Sequence, residues 1–280
     1  MDENMNDLEL LRGTIERDNE VIYWELARNA EMGSSDERPV IVLSHGAGGS
    51  HAVWYQQVPT LGQSYRIVTW DSRGFGNSSN ATNRLSPKNA ANDLGAVLDH
   101  LGIDRAHLVG QSMGGWHISA FWETYPNRTA SLTYANTVGG LWTQDLRAAL
   151  EEFGGAGGLR GSRKIPLVGG HVALWTEDSD RDVAHAFLYQ ALGSFHDPPL
   201  DQLGEITDFE ISADDLGNSG TPVLFITSEH DPIFPSHLLR ESAHRIDGST
   251  FVELPAAGHS PYFETPSAWN AALLEFLASA

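Results

Sequence analysis

A serine in a glycine-rich turn is the residue of this chain whose surroundings best suit nucleophilic chemistry. Residues 108–116 read L-V-G-Q-S-M-G-G-W, which places Ser112 at the centre of a G-x-S-x-G pattern. The apolar stretch before it and the amphipathic stretch after it predict a strand, a sharp turn and a helix. Such a turn is strained and leaves little room for neighbouring side chains, which favours the flanking glycines. We therefore expect Ser112 to present its hydroxyl group clear of the sheet, at the positive end of a helix.

A base and an acid are needed as well, because a serine hydroxyl group is a poor nucleophile at neutral pH. Among the chain's 12 histidines, His259 follows the last predicted strand and is the candidate base. Asp231 directly follows the predicted strand before it and completes the chain order Ser, Asp, His. No Asp or Glu occurs between the predicted strand at 128–135 and Asp145, so a competing acid after that strand is not expected.

Acyl transfer to a serine also requires donors for the oxyanion that develops on the substrate. One is expected to be the backbone N–H of Met113, immediately after the nucleophile. The other is expected from the turn H-G-A-G-G at 45–49, through the N–H of Ala47. The same turn lacks the Gly-Lys-Ser/Thr ending of a phosphate-binding loop, so it does not predict a nucleotide site.

Strands and helices alternate along most of the chain, and they must position these residues. The predicted strands are 39–43, 65–70, 107–109, 128–135, 221–227 and 249–254, and the predicted helices between and after them are 53–61, 87–100, 113–125, 236–246 and 266–277. Two antiparallel strands, 9–17 and 20–28, precede them. The alternation predicts an α/β fold with a mostly parallel central sheet flanked by helices. Ligands of such sheets bind beyond the carboxyl ends of the strands, where the candidate residues lie.

The regular alternation stops after the sixth strand of this α/β fold. Residues 139–219 contain glycine clusters and helical pieces, such as 144–153 and 180–192. We interpret them as a helical cap or lid inserted into a core formed by 1–138 and 220–280. A surface excursion of the chain is the alternative. Trp116, Trp142 and Trp175 are candidates for the wall of an apolar substrate pocket, although aromatic residues are equally common in a protein core.

Composition narrows the possible partners and location of the 280-residue chain. The net charge of −20 disfavours nucleic acids and anionic membranes as partners, and no apolar run is long enough to span a bilayer. The absence of cysteine excludes disulfides, thiolate metal sites and a cysteine nucleophile, and no other metal-ligand cluster stands out. The acidic N-terminus lacks the pattern of a signal peptide, so a cytoplasmic location is expected. The oligomeric state is left open. So is the question whether a saline habitat explains the acidic composition.

Five motifs resemble those of the α/β-hydrolase superfamily and occur in the same order. They are H-G-A-G-G at 45–49 with Trp54 nine residues after the histidine, D-S-R-G-F-G-N-S at 71–78, the turn around Ser112, Asp231 followed by a proline, and a glycine followed by His259. The resemblance extends over about residues 20–278, apart from the insertion. It implies a Ser112–His259–Asp231 catalytic triad and an oxyanion hole at Ala47 and Met113.

The resemblance also implies a class of reaction. It favours a serine esterase or lactonase that needs no cofactor and acts on a small, largely apolar molecule through an acyl-enzyme. A C–C bond hydrolase of the meta-cleavage type, a cofactor-free perhydrolase and a ligand-binding homologue without activity remain as alternatives. Haloalkane dehalogenases and epoxide hydrolases of this fold use aspartate as the nucleophile, whereas this chain has Ser112.

Overall fold

One mixed sheet forms the centre of the protein in the computed structural model, which describes residues 7–155, 174, 183–193 and 203–280. Within these residues the strands are Leu8–Arg17 (β1), Glu20–Asn29 (β2), Val40–Ser44 (β3), Arg66–Trp70 (β4), Ala106–Gln111 (β5), Thr129–Ala135 (β6), Val223–Ser228 (β7) and Thr250–Leu254 (β8). Their order across the sheet is β1-β2-β4-β3-β5-β6-β7-β8. Strands β3 to β8 pair in parallel, and β1 and β2 are antiparallel additions at one edge. The predicted α/β fold with a mostly parallel sheet is confirmed.

Helices connect the strands and follow the last one. In the described residues they are Gln57–Leu61 (α1), Pro87–His100 (α2), Met113–Thr124 (α3), Gln144–Gly155 (α4), Val183–Gly193 (α5), Leu203–Thr207 (α6), Ala213–Asn218 (α7), Ser236–His244 (α8), Pro261–Glu264 (α9) and Pro266–Leu277 (α10). None of the described helices combines the length and the hydrophobicity needed to cross a bilayer.

Apolar side chains cover both faces of the sheet. Along β3, Val40 and Val42 belong to the cluster that contains α2 and α3, whereas Ile41 and Leu43 belong to the cluster that contains α1 and α10. Side chains alternate between the two faces of a strand, so a strand covered on both sides is apolar at every position. The continuous V-I-V-L run of β3 is explained by this burial.

Local signals place the ends of several elements where they were predicted. Helix α2 begins at Pro87, and the hydroxyl oxygen of Ser86 accepts a hydrogen bond from the N–H of Asn89 at 3.2 Å as its N-cap. Asp18 and Asn19 connect β1 to β2 with φ angles of 49° and 62°, the conformation that two-residue hairpin turns require.

The predicted helix at 53–61 differs from the structure. The chain instead forms a 3₁₀ turn at His51–Trp54 and then the short helix α1. The reason is a long-range contact, because the carboxylate of Asp71 accepts the backbone N–H of His51 at 2.6 Å. A buried side chain 20 residues away in sequence therefore holds the turn together with a local cap, the hydroxyl oxygen of Ser50, which accepts the N–H of Ala52 at 3.3 Å.

The segment between β6 and β7 contains helices among its described residues. Helices α4 to α7 lie there, and α4 and α5 overlap the predicted pieces at 144–153 and 180–192. Residues 156–173, 175–182 and 194–202 lie outside the described residues. The division into a core of 1–138 and 220–280 and a cap of 139–219 stays a prediction.

A buried carboxylate holds a surface loop to the start of β2. Glu20 is only 1% exposed, and its oxygens accept the N–H groups of Ala81 at 2.9 Å and Thr82 at 2.7 Å and the hydroxyl groups of Ser79 and Thr82. Burial raises the pKa of Glu20, but these hydrogen bonds outweigh burial and hold the pKa at about 2.

Replacing Glu20 by glutamine is expected to lower the free energy of unfolding at pH 7 by on the order of 2 kcal/mol. The pKa of Glu20 is lower in the folded state than in the unfolded chain, where it is about 4.3. Its stabilising contribution is therefore complete above about pH 5 and is lost as the pH falls toward 2. Urea unfolding at pH 7, 5 and 3 measures this, and the two proteins should converge at low pH. The exposed Glu16→Gln variant is the control, and an equal difference at all three pH values would contradict the prediction.

Candidate active site

The turn at Ser112 is strained, as the glycine-rich pattern predicts. Ser112 lies between β5 and α3 with φ 49° and ψ −119°, a backbone conformation that costs a non-glycine residue about 1–3 kcal/mol. Its N–H donates a hydrogen bond to the carbonyl oxygen of Ala135 at 3.1 Å. A Cβ atom at position 110 would overlap the carbonyl group of Gly114, and one at position 114 would overlap the carbonyl oxygen of Ser44. The close approach of strand and helix at this turn therefore requires both glycines.

Asp231 and His259 form a buried pair at the ends of β7 and β8. The Nδ1 atom of His259 lies 2.9 Å from Oδ2 of Asp231, and both side chains are at most 5% exposed. The other oxygen of Asp231 accepts the N–H groups of Ile233 at 2.8 Å and Phe234 at 3.1 Å. Because a carboxylate accepts hydrogen bonds, Nδ1 of His259 carries a proton in this pair, which leaves Nε2 as the atom that can accept one from Ser112.

The backbone beside His259 is held by side chains from three other segments. Nε2 of Gln111 donates to the carbonyl oxygen of His259 at 3.1 Å. The hydroxyl group of Ser228 donates to the carbonyl oxygen of Gly258, whose N–H donates to Glu264 at 2.9 Å. The residue directly before Ser112 thus contacts the backbone of His259, a link that the sequence analysis missed.

Ser112 and His259 line one cavity of about 170 Å³. Its walls are mostly aliphatic and aromatic, and the lining residues are Ala47, Gly48, Gly49, Gln111, Ser112, Met113, Trp116, Leu150, Tyr189, Leu203, Ile206, Thr207, Ile233, Phe234, His259 and Tyr262. The cavity wall thus contains the predicted nucleophile, the predicted base and both predicted oxyanion donors. Asp231 contacts the predicted base from outside the described wall. Leu150, Tyr189 and Ile206 were not predicted, because nothing in their local sequence marks a wall residue.

The three candidate pocket tryptophans have different positions. Trp116, on α3, is part of the cavity wall. Trp142 is not among the described wall residues, and its ring lies behind Trp116 with 5.8 Å between the ring centroids. The guanidinium group of Arg147 lies 4.7 Å from the centroid of the Trp142 ring. Trp175 lies outside the described residues.

The turn at 45–49 is held by a buried histidine. Nδ1 of His45 lies 2.8 Å from the carbonyl oxygen of Gly46, and its Nε2 accepts the N–H of Ser72 at 3.1 Å. This hydrogen bonding assigns His45 the neutral form with the proton on Nδ1. Across the part of the chain that the structure describes, neither Ala47 nor Met113 donates its N–H to a protein acceptor. Both N–H groups are therefore available to a bound molecule.

Two further histidines near these turns have shifted pKa values. Burial lowers the pKa of His51, but the hydrogen bond with Asp71 at 2.8 Å and the charges of Asp71 and Glu25 outweigh burial and raise the pKa overall. His117, on α3, is fully buried, and burial lowers its pKa to about 3. His117 is therefore neutral at physiological pH, and it is not part of the described cavity wall.

The described residues contain no group of three or more histidine, aspartate or glutamate side chains arranged to hold a metal ion.

Comparisons with known proteins identify the family. The family model described as alpha/beta hydrolase fold matches residues 39–266. The chain is 30% identical over 210 residues to 3-oxoadipate enol-lactonase 1 of Acinetobacter baylyi, a match that covers 73% of this chain and 76% of the lactonase. It is 28% identical over 258 residues to RutD of Caulobacter sp., provisionally named a carbamate hydrolase, with 88% of this chain and 93% of that protein covered.

A solved structure supports the same grouping. The enol-lactonase from Burkholderia xenovorans superposes with a TM-score of 0.77 over 95% of this chain and 100% of that one. The two sequences are 20% identical, so this likeness concerns the fold. Since the family model covers most of the chain, the chain belongs to the α/β-hydrolase fold family.

Proposed function

We propose that this chain is a serine hydrolase that cleaves a small, largely apolar carboxylic ester or lactone through an acyl-enzyme. One observation carries the proposal. The strained Ser112 and the Asp231-bound His259 line the same apolar cavity. A serine held in this way beside an oriented imidazole is the arrangement that activates a hydroxyl group for attack on a carbonyl carbon.

In the proposed reaction, Ser112 attacks the carbonyl carbon while Nε2 of His259 takes its proton. Asp231 holds the imidazole in the required tautomer and stabilises the imidazolium ion that forms. The N–H groups of Ala47 and Met113 donate to the oxyanion. His259 then protonates the leaving alcohol, and a water molecule activated by the same imidazole releases the acid. Each step uses only groups of this chain, the substrate and water.

The cavity walls support a small apolar substrate. Leu150 on α4, Tyr189 on α5 and Ile206 on α6 line the cavity together with the core residues Ile233 and Phe234. Apolar walls favour an acyl group without charge because an unpaired charge would lose its hydration there. The contribution of α4, α5 and α6 also supports our proposal that 139–219 is a cap over the site. A relative named as an enol-lactonase supports lactones as one substrate class.

Turnover of a small panel of carbonyl compounds tests the proposed function. The panel contains p-nitrophenyl acetate, butyrate and octanoate, a γ-lactone, a phenyl carbamate and a vinylogous 1,5-diketone. We expect hydrolysis of the short esters or the lactone, with a burst of nitrophenol equal to the enzyme concentration as the acyl-enzyme accumulates. A fluorophosphonate should add its mass to the peptide that contains Ser112.

Other outcomes would favour the alternatives. Faster turnover of the diketone than of every ester would indicate a C–C bond hydrolase. Peracid formation from acetate and hydrogen peroxide, without ester hydrolysis, would indicate a perhydrolase. If no compound is turned over and Ser112 is not labelled, the proposal is wrong and a ligand-binding homologue is favoured.

A further inference from the structure

A buried amide contacts the carboxylate that orients His259. Nδ2 of Asn136, directly after β6, donates to Oδ2 of Asp231 at 2.8 Å, the same oxygen that lies 2.9 Å from Nδ1 of His259. We propose that Asn136 is a positioning residue that holds this oxygen in line with the imidazole. The inference rests on the proposed function of Ser112, His259 and Asp231.

The conformation of Asn136 suits this contact. Its φ angle is 48°, in the left-handed region that asparagine enters more readily than most residues. Its N–H donates to the carbonyl oxygen of Ile226 at 2.8 Å, which continues the pairing of β6 with β7 beyond the end of the strand. The residue has no exposed surface, and its Oδ1 atom has no hydrogen-bond partner among the described residues.

The amide group uses both of its N–H donors. One goes to Asp231 and the other to the hydroxyl group of Ser228, also at 2.8 Å. Because a carboxylate only accepts, the NH2 end of the amide must face Asp231, and this settles the orientation of the amide. The hydroxyl group of Ser228 in turn donates to the carbonyl oxygen of Gly258, directly before His259. Asn136 is thereby connected to both partners of the Asp231–His259 pair.

The same segment of the chain also contacts the nucleophile turn. The carbonyl oxygen of Ala135 accepts the N–H of Ser112 at 3.1 Å, and the next residue is Asn136. Residues 135 and 136 therefore connect the end of β5 to the end of β7, the two strands on either side of β6. A shift of Asn136 would change the position of Asp231 relative to Ser112.

A neutral donor at this position has a chemical consequence. The amide stabilises the negative charge of Asp231 without supplying a proton that the carboxylate could take. A carboxylate in its place would lie about 3 Å from Asp231, and two carboxylates that close compete for a proton. The negative charge on this pair of carboxylates would also favour the protonated form of His259. The pH dependence of the reaction at Ser112 therefore distinguishes the proposed role from simple packing.

The test compares Asn136→Asp and Asn136→Ala with the wild type. The probe is a fluorophosphonate, and the labelling rate of Ser112 is measured per folded molecule from pH 5 to 10. With Asn136→Asp, we expect the pH of half-maximal labelling to rise by about one unit. With Asn136→Ala, we expect the labelling rate at its optimum to fall about tenfold, because a hydrogen bond to a charged group is lost.

Asn270→Asp is the matched control, because Asn270 is also a buried asparagine but lies on α10. It should leave the pH of half-maximal labelling unchanged. If both aspartate variants leave it unchanged, Asn136 has only a structural role and the inference is wrong. If Asn136→Asp fails to fold, the labelling rate of Asn136→Ala tests the inference instead.

Proton NMR separates failure of this inference from failure of the proposed function. The hydrogen-bonded Nδ1 proton of His259 should give a downfield resonance in the wild type that shifts or exchanges faster in Asn136→Ala. This readout needs no activity. Absence of labelling in the wild type would contradict the proposed function, whereas an unchanged His259 resonance in the variants would contradict the role of Asn136.

Discussion

Replacement of Ser112 by alanine is expected to lower kcat/KM for the best ester or lactone by a factor on the order of 10⁵ to 10⁶ and to abolish fluorophosphonate labelling. The proposed reaction begins with attack by the Ser112 oxygen, and the histidine and aspartate accelerate nothing once that oxygen is gone. The residual rate would come from substrate binding and from the donors at Ala47 and Met113. Steady-state kinetics and intact-protein mass spectrometry measure both effects.

The control for this experiment is the exposed Ser64→Ala variant, which should keep wild-type activity and labelling. The thermal unfolding midpoint of Ser112→Ala should stay within a few degrees of the wild type, so that lost activity cannot be attributed to unfolding. Labelling that persists in Ser112→Ala would identify another nucleophile and contradict the proposed function.

Replacement of Asp231 by asparagine is expected to lower kcat about ten-thousand-fold while leaving the fold intact. The hydrogen bonds around the carboxylate explain why. Its Oδ1 accepts the N–H groups of Ile233 and Phe234, so the oxygen of the new amide would take that place. The NH2 group would then face Nδ1 of His259, which would have to accept, and the NH2 group of Asn136, whose amide would have to turn over. The imidazole proton would move to Nε2, where it blocks proton transfer from Ser112.

The pH–rate profile and burst kinetics of Asp231→Asn measure this effect on acylation directly. Asp214→Asn, at an exposed position on α7, is the control and should behave like the wild type. A loss smaller than about tenfold would show that Asp231 does not orient the base, and it would contradict the proposed triad.

Much of the fold was predictable because its signals are local. The glycines at 110 and 114 predict a strand and a helix in close contact. The structure shows that a Cβ atom at either position would overlap a carbonyl group. Ser86 and Pro87 indicate the start of α2, since capping depends on residues within one helical turn.

Other features depend on residues that are far apart in sequence. The predicted helix at 53–61 is shortened to α1, and the 3₁₀ turn before it is held by Asp71, which accepts the N–H of His51. Asn136 lies 95 residues before Asp231, and its sequence neighbourhood contains no signal for a contact with an acid. Only the pairing of β6 with β7 brings the two side chains together.

The order of most strands and helices, the strained turn at Ser112 and the candidates Asp231 and His259 at strand ends were predictable from the amino-acid sequence. These follow from short-range preferences and from the rule that carboxyl ends of parallel strands share one edge of a sheet. The packing of distant elements was needed to show that Trp116 rather than Trp142 is part of the cavity wall, and that Asn136 contacts the acid. Walls and hydrogen-bond partners are formed by side chains from separate elements, whose distances depend on how those elements pack.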